Sequence, residues 1–346
     1  MIFLMSSIFI GPLNLNANAT DGATFKNRIL LKELKSHFFI EKVFDTYNWR
    51  RDFVVIKLFF YLIFDRNKRV YISLNTYSAY RILGFLNVLR YKGEIHYFVI
   101  GDTIGSGVLS GRYNFRRYLI CNNIFVEGLR TKNQLETKLR NIRQLPNFKQ
   151  VIAIRKEAEI FHSHRNNRSE VFKFLFLSRV VEEKGIDILF DAVEILRNEF
   201  GQKSFNLTII GPIDDNYREH ILSRQGKLDC VDYLDPIDLL NYKNYSQIVV
   251  YDCMVFPTFW LGEGFPGVLI DAFIVGMPVI ASDWNLNTEI VIDRYNGLIF
   301  KNKDAFDLAN KMNFCIRNFD FFENLRRNSY DCAIQYDATS IFKVIS

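Results

Sequence analysis

Residues 255–291 read VFPTFWLGEGFPGVLIDAFIVGMPVIASDWNLNTEIV, and this stretch decides the fold. An apolar run that ends near Phe256 predicts a buried strand, and a loop rich in Gly and Pro follows it. A helix is predicted to begin near Val268, and the run Pro278–Ala281 predicts the next strand. Strand, loop, helix and strand in this order indicate a βα unit of a parallel sheet.

The loop in this stretch combines two carboxylates with backbone amides that no helix partner satisfies. Glu263 lies in the loop, and Asp271 follows eight positions later in the predicted first turn of the helix. Amides at the start of a helix bind anions; the turn here consists of Gly264, Phe265, Pro266, Gly267 and Val268. Because a carboxylate cannot be the bound anion, we expect Glu263 and Asp271 to face hydroxyl groups. A ligand with a phosphate in the middle and a polyol at each end, such as a nucleoside diphosphate sugar, fits this pattern.

A second stretch, FLFLSRVVEEKGIDILF at residues 174–190, places two cations after a predicted strand. Arg179 follows the strand directly, and Lys184 lies just before the next predicted helix. The forked guanidinium and the point charge of the ammonium together suit a diphosphate leaving group. Taken alone, an Arg and a Lys near a helix start are more often ordinary surface residues.

Short apolar runs alternate with longer amphipathic runs along the rest of the chain, which predicts further βα units. The other predicted strands are Ile8–Ile10, Val70–Leu74, Ile95–Ile100, Ile124–Val126, Phe172–Leu177, Asn206–Ile210, Val249–Phe256 and Gly297–Phe300. The predicted helices are Phe25–His37, Tyr77–Tyr91, Lys132–Arg143, Gly185–Phe200, Val268–Val275 and Ala305–Cys315. The polar stretch between Gln150 and Arg168 predicts a boundary between two domains.

Charge divides the chain in the same place. Residues 1–170 contain 27 Lys and Arg against 13 Asp and Glu, whereas residues 171–346 contain 17 against 25. The basic half is therefore expected to face an anionic partner. Two solvated surfaces of opposite charge that attract each other would give the same counts. Nucleic acid is not expected as the partner, because no basic and aromatic recognition motif is present. Hydrophobic residues at 49% and charged residues at 24% exclude disordered and fibrous classes.

The compartment is predicted from the cysteines and the amino terminus. Five widely spaced Cys without a CxxC pair argue against a disulfide scaffold or structural zinc and suit reduced thiols in a cytoplasm. Residues 1–19, MIFLMSSIFIGPLNLNANA, lack a Lys or Arg before the apolar run, so a buried strand is favoured over a signal peptide. No run reaches the ~20 apolar residues of a membrane span.

Residues 48–69, NWRRDFVVIKLFFYLIFDRNKR, leave two interpretations open. The apolar core Phe53–Phe64 lies between Arg50-Arg51 on one side and Arg66, Lys68 and Arg69 on the other. It is too short to span a bilayer but suits an anionic membrane surface. The alternative, which is slightly favoured, is a buried helix or strand of the first domain with charged ends.

Together these motifs resemble the carboxyl half of retaining GT-B glycosyltransferases, the group 1 family of the E-x7-E type. The shared features are SR-x4-KG at 178–185, Gly211-Pro212, and EGFPGVLIDAFIVGMPVIASD at 263–283. Glu263 occupies the first carboxylate position of the family pattern, and Asp271 replaces the usual second Glu. This departure shortens the side chain by one methylene.

The resemblance implies an α/β protein of the GT-B fold, with two Rossmann-like doubly wound domains facing each other across a cleft. The domains would be residues 1–165, which bind the acceptor, and 166–325, which bind the nucleotide sugar, with 326–346 as a helical segment that packs back on the first domain. Gly22, Ala23 and Thr24 would approach the donor diphosphate from the first domain, although Gly22 also fits an ordinary turn.

The resemblance also implies a mechanism. Arg179 and Lys184 would stabilise the departing diphosphate, Glu263 would orient the donor sugar, and Asp271 would hold the ribose. The donor would be a UDP- or GDP-sugar, and the acceptor a glycan. If residues 48–69 lie on a membrane surface, the acceptor would be a polyprenyl-diphosphate-linked sugar at the inner face of the plasma membrane. No metal and no other cofactor is expected: Asp214-Asp215 are interpreted as loop caps, and His162 and His164 as surface residues.

Two other functions remain open. A nucleotide-sugar epimerase shares the two-domain fold but needs further acid and base residues, which the sequence does not point to. A catalytically inactive homologue that acts as a binding partner is favoured only by Asp271. A dinucleotide-dependent oxidoreductase is disfavoured, since no GxGxxG follows the first strand.

Overall fold

The computed structural model describes residues 6–15, 21–49, 53–160 and 171–343. They form two compact units, and each is built on a six-stranded parallel sheet flanked by helices. The first unit comprises residues up to Lys149 together with those from Ala338 on, and the second is Gln150–Asp337. The α/β class predicted from the alternation of apolar runs is confirmed.

The first unit has the strand order β2-β1-β3-β4-β5-β6. Its elements are β1 (Ser7–Gly11), α1 (Gly22–His37), β2 (Ile40–Asp45), α2 (Val54–Phe64), β3 (Arg69–Asn75), α3 (Thr76–Val88), β4 (Ile95–Ile100), α4 (Ile104–Leu109), β5 (Asn123–Val126), α5 (Leu129–Glu136) and β6 (Ile142–Gln144). Alternate residues of β1 face opposite sides of the sheet. Ile8 and Ile10 pack into one hydrophobic core, and Phe9 packs into the other. Both faces of the sheet are covered, and this explains why its central strands read as continuous apolar runs.

The second unit has the strand order β12-β11-β10-β7-β8-β9. Its elements are α6 (Val151–Glu157), β7 (Phe172–Leu177), α7 (Ile186–Asn198), β8 (Phe205–Ile210), α8 (Arg218–Gln225), β9 (Val231–Leu234), β10 (Cys253–Phe256), α9 (Gly267–Ile274), β11 (Val279–Ser282), α10 (Asn287–Ile290), β12 (Gly297–Phe300), α11 (Ala305–Arg317) and α12 (Phe319–Cys332). The apolar stripe of α7 packs into the core of this unit.

All nine predicted strands are present, although not all have the predicted extent, and three further strands were not predicted. Strand β10 begins only at Cys253, so the predicted run Val249–Phe256 was too long. The predicted helix Lys132–Arg143 is also wrong in extent, since α5 ends at Glu136 and β6 begins at Ile142. The three strands that no apolar run predicted, β2, β6 and β9, all lie at an edge of their sheet. Edge strands carry exposed polar residues and therefore lack the continuous apolar pattern.

The division between the units precedes the predicted boundary at residue 165. Helix α6 belongs to the second unit, because the Arg155 guanidinium donates to the carbonyl oxygens of Ile274 and Tyr330 and lies 3.5 Å over the Tyr330 ring. Burying a cation against carbonyls and a ring fixes this helix to its neighbours. Residues 161–170, which include His162 and His164, lie outside the described residues.

The chain returns to the first unit later than residue 326. Helix α12 packs on α9 in the second unit, and only residues from Ala338 on, with α13 (Ala338–Phe342), belong to the first. The backbone amide of Ala338 donates to the Lys149 carbonyl at 2.8 Å, and the rings of Phe342 and Phe148 meet edge-on at 5.0 Å.

Of the two interpretations of Phe53–Phe64, the structure gives a helix, α2, that is buried along one stripe only. Val54, Leu58 and Leu62 face the core, and the other apolar side chains are at least partly exposed. Among the described ranges, no helix combines the length and the apolar character needed to cross a membrane.

Candidate active site

Three loops meet at the carboxyl ends of strands β7, β8 and β10, and two glycines allow this. A Cβ on Gly185, whose φ is +76°, would lie 2.1 Å from the carbonyl oxygen of Pro257. A Cβ on Gly211, whose φ is +149°, would lie 1.8 Å from the carbonyl oxygen of Ser178. Only glycine combines these backbone angles with such close approach. The turns after the three strands are therefore in direct backbone contact.

The contact at Gly185 brings the two main predicted residues together. The Lys184 ammonium forms an ion pair with Oε2 of Glu263, and the hydroxyl of Thr258 lies 3.1 Å from the same oxygen. Lys184 is 6% exposed and Glu263 is 7% exposed. Charges this deeply buried are stable only when they are paired. The two motifs identified separately in the sequence thus form one buried charge pair.

The loop that carries Glu263 is held by the last residue of β11 and by the turn that follows this strand. The Ser282 hydroxyl donates to the Thr258 carbonyl at 2.6 Å, and the Asn285 side-chain amide donates to the Glu263 carbonyl at 3.2 Å. These bonds fix the backbone on both sides of the loop. Residues not predicted for the site are Thr258, Trp260, Ser282, Trp284 and Asn285, although all lie inside the stretch 255–291.

Trp260 lies between the two predicted cations. The centre of its ring is 4.9 Å from the Lys184 ammonium and 5.8 Å from Cζ of Arg179, within the range of cation–π attraction. The indole N–H of Trp284 donates to the Trp260 carbonyl at 2.9 Å and fixes this residue. Arg179 itself is exposed. Arg179, Lys184, Trp260 and Glu263 are called the cationic cluster below.

The predicted turn leads into α9, which begins at Gly267. Pro266 is its N-cap residue, and no side chain caps this helix. Gly267 and Val268 are partly exposed, whereas Phe265 is buried against Tyr336 with ring centres 5.5 Å apart. Because the first amides of a helix have no intrahelical acceptor, the partly exposed start of α9 presents donors suited to an anion.

Asp271 differs from its prediction. It is the fifth residue of α9, one position beyond the first turn, and it is buried. Its carboxylate accepts a hydrogen bond from the hydroxyl of Tyr245 at 2.5 Å. Burial and the neighbouring carboxylate raise the pKa of Tyr245 well above its usual value, so this phenol stays a donor. Asp271, which is one methylene shorter than the usual Glu, is thus hydrogen-bonded to Tyr245, a buried residue that the sequence pattern did not indicate.

Gly22, Ala23 and Thr24 form the first turn of α1 in the first unit. The Asp21 carboxylate caps this turn, accepting from the Thr24 amide at 2.9 Å. A Cβ on Gly22 would meet no atom within 4 Å, so space does not require glycine there. Their contact with a donor diphosphate stays a prediction.

Asp214, considered as a metal carboxylate and interpreted as a cap, accepts from the Asn216 amide at 3.1 Å and caps a short 3₁₀ helix. Across the described residues, no group of three or more His, Cys, Asp or Glu side chains is arranged to hold a metal ion.

Comparison with known proteins gives relatives of one kind. An uncharacterized glycosyltransferase of Methanocaldococcus jannaschii is 29% identical over 226 residues, which are 64% of this chain and 57% of the relative. The N,N'-diacetylbacillosaminyl-diphospho-undecaprenol alpha-1,3-N-acetylgalactosaminyltransferase of Campylobacter jejuni is 25% identical over 65% of this chain and 57% of its own length. The chain thus matches a little over half the length of these relatives.

Among solved structures, HepE of Anabaena, crystallised with UDP and glucose, superposes with a TM-score of 0.69 over 99% of this chain and 98% of HepE, at 15% identity. This likeness confirms the predicted GT-B fold. The family described as Glycosyl transferases group 1 matches residues 157–331. Since that segment is half of the chain and contains the whole cationic cluster, the chain belongs to the glycosyl transferases group 1 family.

Proposed function

We propose that this chain is a retaining, metal-independent glycosyltransferase. It moves a sugar from a UDP- or GDP-sugar to a glycan or a polyprenyl-diphosphate-linked acceptor in cell-surface polysaccharide or glycolipid biosynthesis. The observation that carries the proposal is the buried Lys184–Glu263 pair beside the uncapped start of α9. A cation, helix amides and a carboxylate are what a diphosphate joined to a sugar requires.

Each group has a role in this proposal. Lys184 and Arg179, with the first amides of α9, stabilise the negative charge that grows on the diphosphate as its bond to the sugar breaks. Glu263 accepts hydrogen bonds from the donor sugar, and Asp271 contacts the ribose. The acceptor hydroxyl attacks from the face that the diphosphate leaves, and its proton passes to the departing diphosphate oxygen, so no covalent nucleophile is required. Two cations and a helix end supply the charge that a magnesium ion supplies elsewhere.

Relatives and cysteines support the wider assignment. The C. jejuni relative is named for an undecaprenol-linked acceptor, and further relatives are named for amylovoran biosynthesis and for capsular polysaccharide biosynthesis. Five widely spaced cysteines without a CxxC pair suit a reducing compartment. We therefore place the enzyme in the cytoplasm, at the inner face of the plasma membrane.

The test measures nucleoside diphosphate released from single UDP- and GDP-sugars, with and without a polyprenyl-diphosphate-linked sugar. A transferase releases nucleoside diphosphate when the acceptor is added, an epimerase converts the sugar without release, and an inactive homologue binds but does neither. Addition of EDTA should leave the rate unchanged. Thermal stabilisation by UDP against GDP identifies the base without knowledge of the acceptor.

Two matched variants locate the activity. Glu263→Gln keeps the size of the side chain but removes its charge, and we expect turnover to fall by about 10²-fold or more. Asp252→Asn is the control: Asp252 is an equally buried acid of the same unit, but it lies at the opposite ends of the strands, accepting from the Lys173 amide at 2.8 Å. It should lower stability and leave the rate per folded molecule intact. Equal rates in the two variants would contradict the site.

A further inference from the structure

The outer face of α2 is an unusual surface. Of the 11 residues of this helix, only Val54, Leu58 and Leu62 are buried. The large apolar side chains exposed on the helix and just before it are Phe53 (64%), Val55 (52%), Ile56 (53%), Phe59 (41%), Phe60 (56%) and Phe64 (84%). Single exposed apolar residues are normal, but a contiguous group of this kind marks an interaction surface.

The exposed face is ordered by its own packing. The rings of Phe59 and Phe60 meet edge-on at 5.9 Å, and Phe59 also packs on Phe85 of α3 at 4.5 Å. Before the helix, the Trp49 carbonyl accepts from the Val54 amide at 3.2 Å, and the Trp49 side chain is 43% exposed. Trp at the edge of an apolar surface is typical of the boundary between lipid and water.

Basic residues lie next to this face, and the nearby acids form ion pairs. Lys42 and Lys57 are exposed beside it, and Arg66 follows the helix. The acids Glu41 and Asp65 both form ion pairs with Lys68. The first unit as a whole carries 24 Lys and Arg against 10 Asp and Glu. A second copy of the chain would bring the same positive rim against this one, and like charges oppose that pairing.

We propose that α2 docks the protein on an anionic bilayer, lying in the plane of the membrane with its phenylalanines below the headgroups and its basic rim against them. The helix is about 16 Å long at 1.5 Å per residue, enough to lie in the interface and far short of a span. The inference depends on the proposed function only for the position of a lipid-linked acceptor.

Vesicle flotation of the full chain, without substrates, tests this docking. We expect binding to phosphatidylcholine vesicles that contain phosphatidylglycerol, weaker binding to phosphatidylcholine alone, and release at high salt. The double variant Phe60→Ser/Phe64→Ser removes two exposed side chains, so the fold should survive while partitioning falls at least about tenfold. Leu222→Ser/Ile334→Ser, at two exposed apolar positions of the second unit, should bind like the wild type.

Equal partitioning of both double variants would overturn the proposal. The proposal would also be overturned if the wild type were a dimer that does not bind vesicles and the Phe60→Ser/Phe64→Ser variant were a monomer. The face would then be a contact between two copies of the chain. Nucleotide release with a water-soluble acceptor separates this inference from the proposed function. If nucleotide is released but vesicles are not bound, the proposed transferase function stands and the docking proposal fails. If vesicles are bound but no nucleotide is released, the docking proposal stands and the proposed function fails.

Discussion

Replacement of Gly185 with alanine tests whether backbone contact positions Lys184, for which we propose a catalytic role. Alanine at a φ of +76° is strained by about 1–2 kcal/mol. Its Cβ would also lie 2.1 Å from the Pro257 carbonyl oxygen, which is far inside van der Waals contact. The turn must therefore move by roughly 1 Å, and Lys184 moves with it. A displacement of this size lowers kcat/KM by about 10²-fold when it affects catalytic groups.

Gly201→Ala is the matched control for this variant. Gly201 has a φ of +66°, but a Cβ there would meet no atom within 4 Å, so only the backbone strain is introduced. For a unit of this size, a strain of 1–2 kcal/mol lowers Tm by about 2–8 °C. We expect that loss for Gly201→Ala with an unchanged rate, and a larger loss of Tm together with slow transfer for Gly185→Ala. The same Tm and rate in both variants would refute the role of the Gly185–Pro257 contact.

Three further predictions concern the other buried groups. Glu263→Ala should destabilise the second unit by about 3–5 kcal/mol in urea unfolding, because Lys184 would be left buried without a partner; a smaller change would indicate that the pair is hydrated. Asp271→Glu adds a methylene beside buried Tyr245, so the free energy of unfolding should fall by about 1–3 kcal/mol; an unchanged value would mean that the site has spare room. Burial lowers the pKa of His96 below its usual 6.5, so the unfolded chain binds protons more readily than the folded one. Stability from this group is complete above pH 6.5 and declines as the pH falls below it, and His96→Gln should flatten the dependence of Tm on pH between 7.5 and 5.

The sequence predicted the parts of the site that local pattern determines. Lys184 and Glu263 each follow a buried strand of one parallel sheet, and the loops after such strands share one edge. Their proximity therefore followed from two separate motifs. The start of α9 was placed within one residue for the same reason, since Gly and Pro precede its apolar run.

The partner of Asp271 could not be predicted in the same way. Tyr245 lies 26 positions earlier, in a 3₁₀ helix without an apolar period, and only tertiary packing brings the two together. Because Glu263 is buried and paired with Lys184, its removal is expected to affect stability as well as the site. For α2, composition alone cannot distinguish a buried helix from a surface helix, because nearly all of its residues are apolar. The tertiary structure determines which three of its side chains face the core and which are exposed.

The return of the chain at Ala338 has a consequence for synthesis. The core around Phe148 and Leu30 includes Ala338, Ile341 and Phe342, which the ribosome adds only after all of the second unit has been made. This core of the first unit is therefore completed only after the second unit has been synthesised. A nascent chain that stops short of α13 would leave Phe148 uncovered, and chaperones recognise such an exposed apolar surface as unfinished.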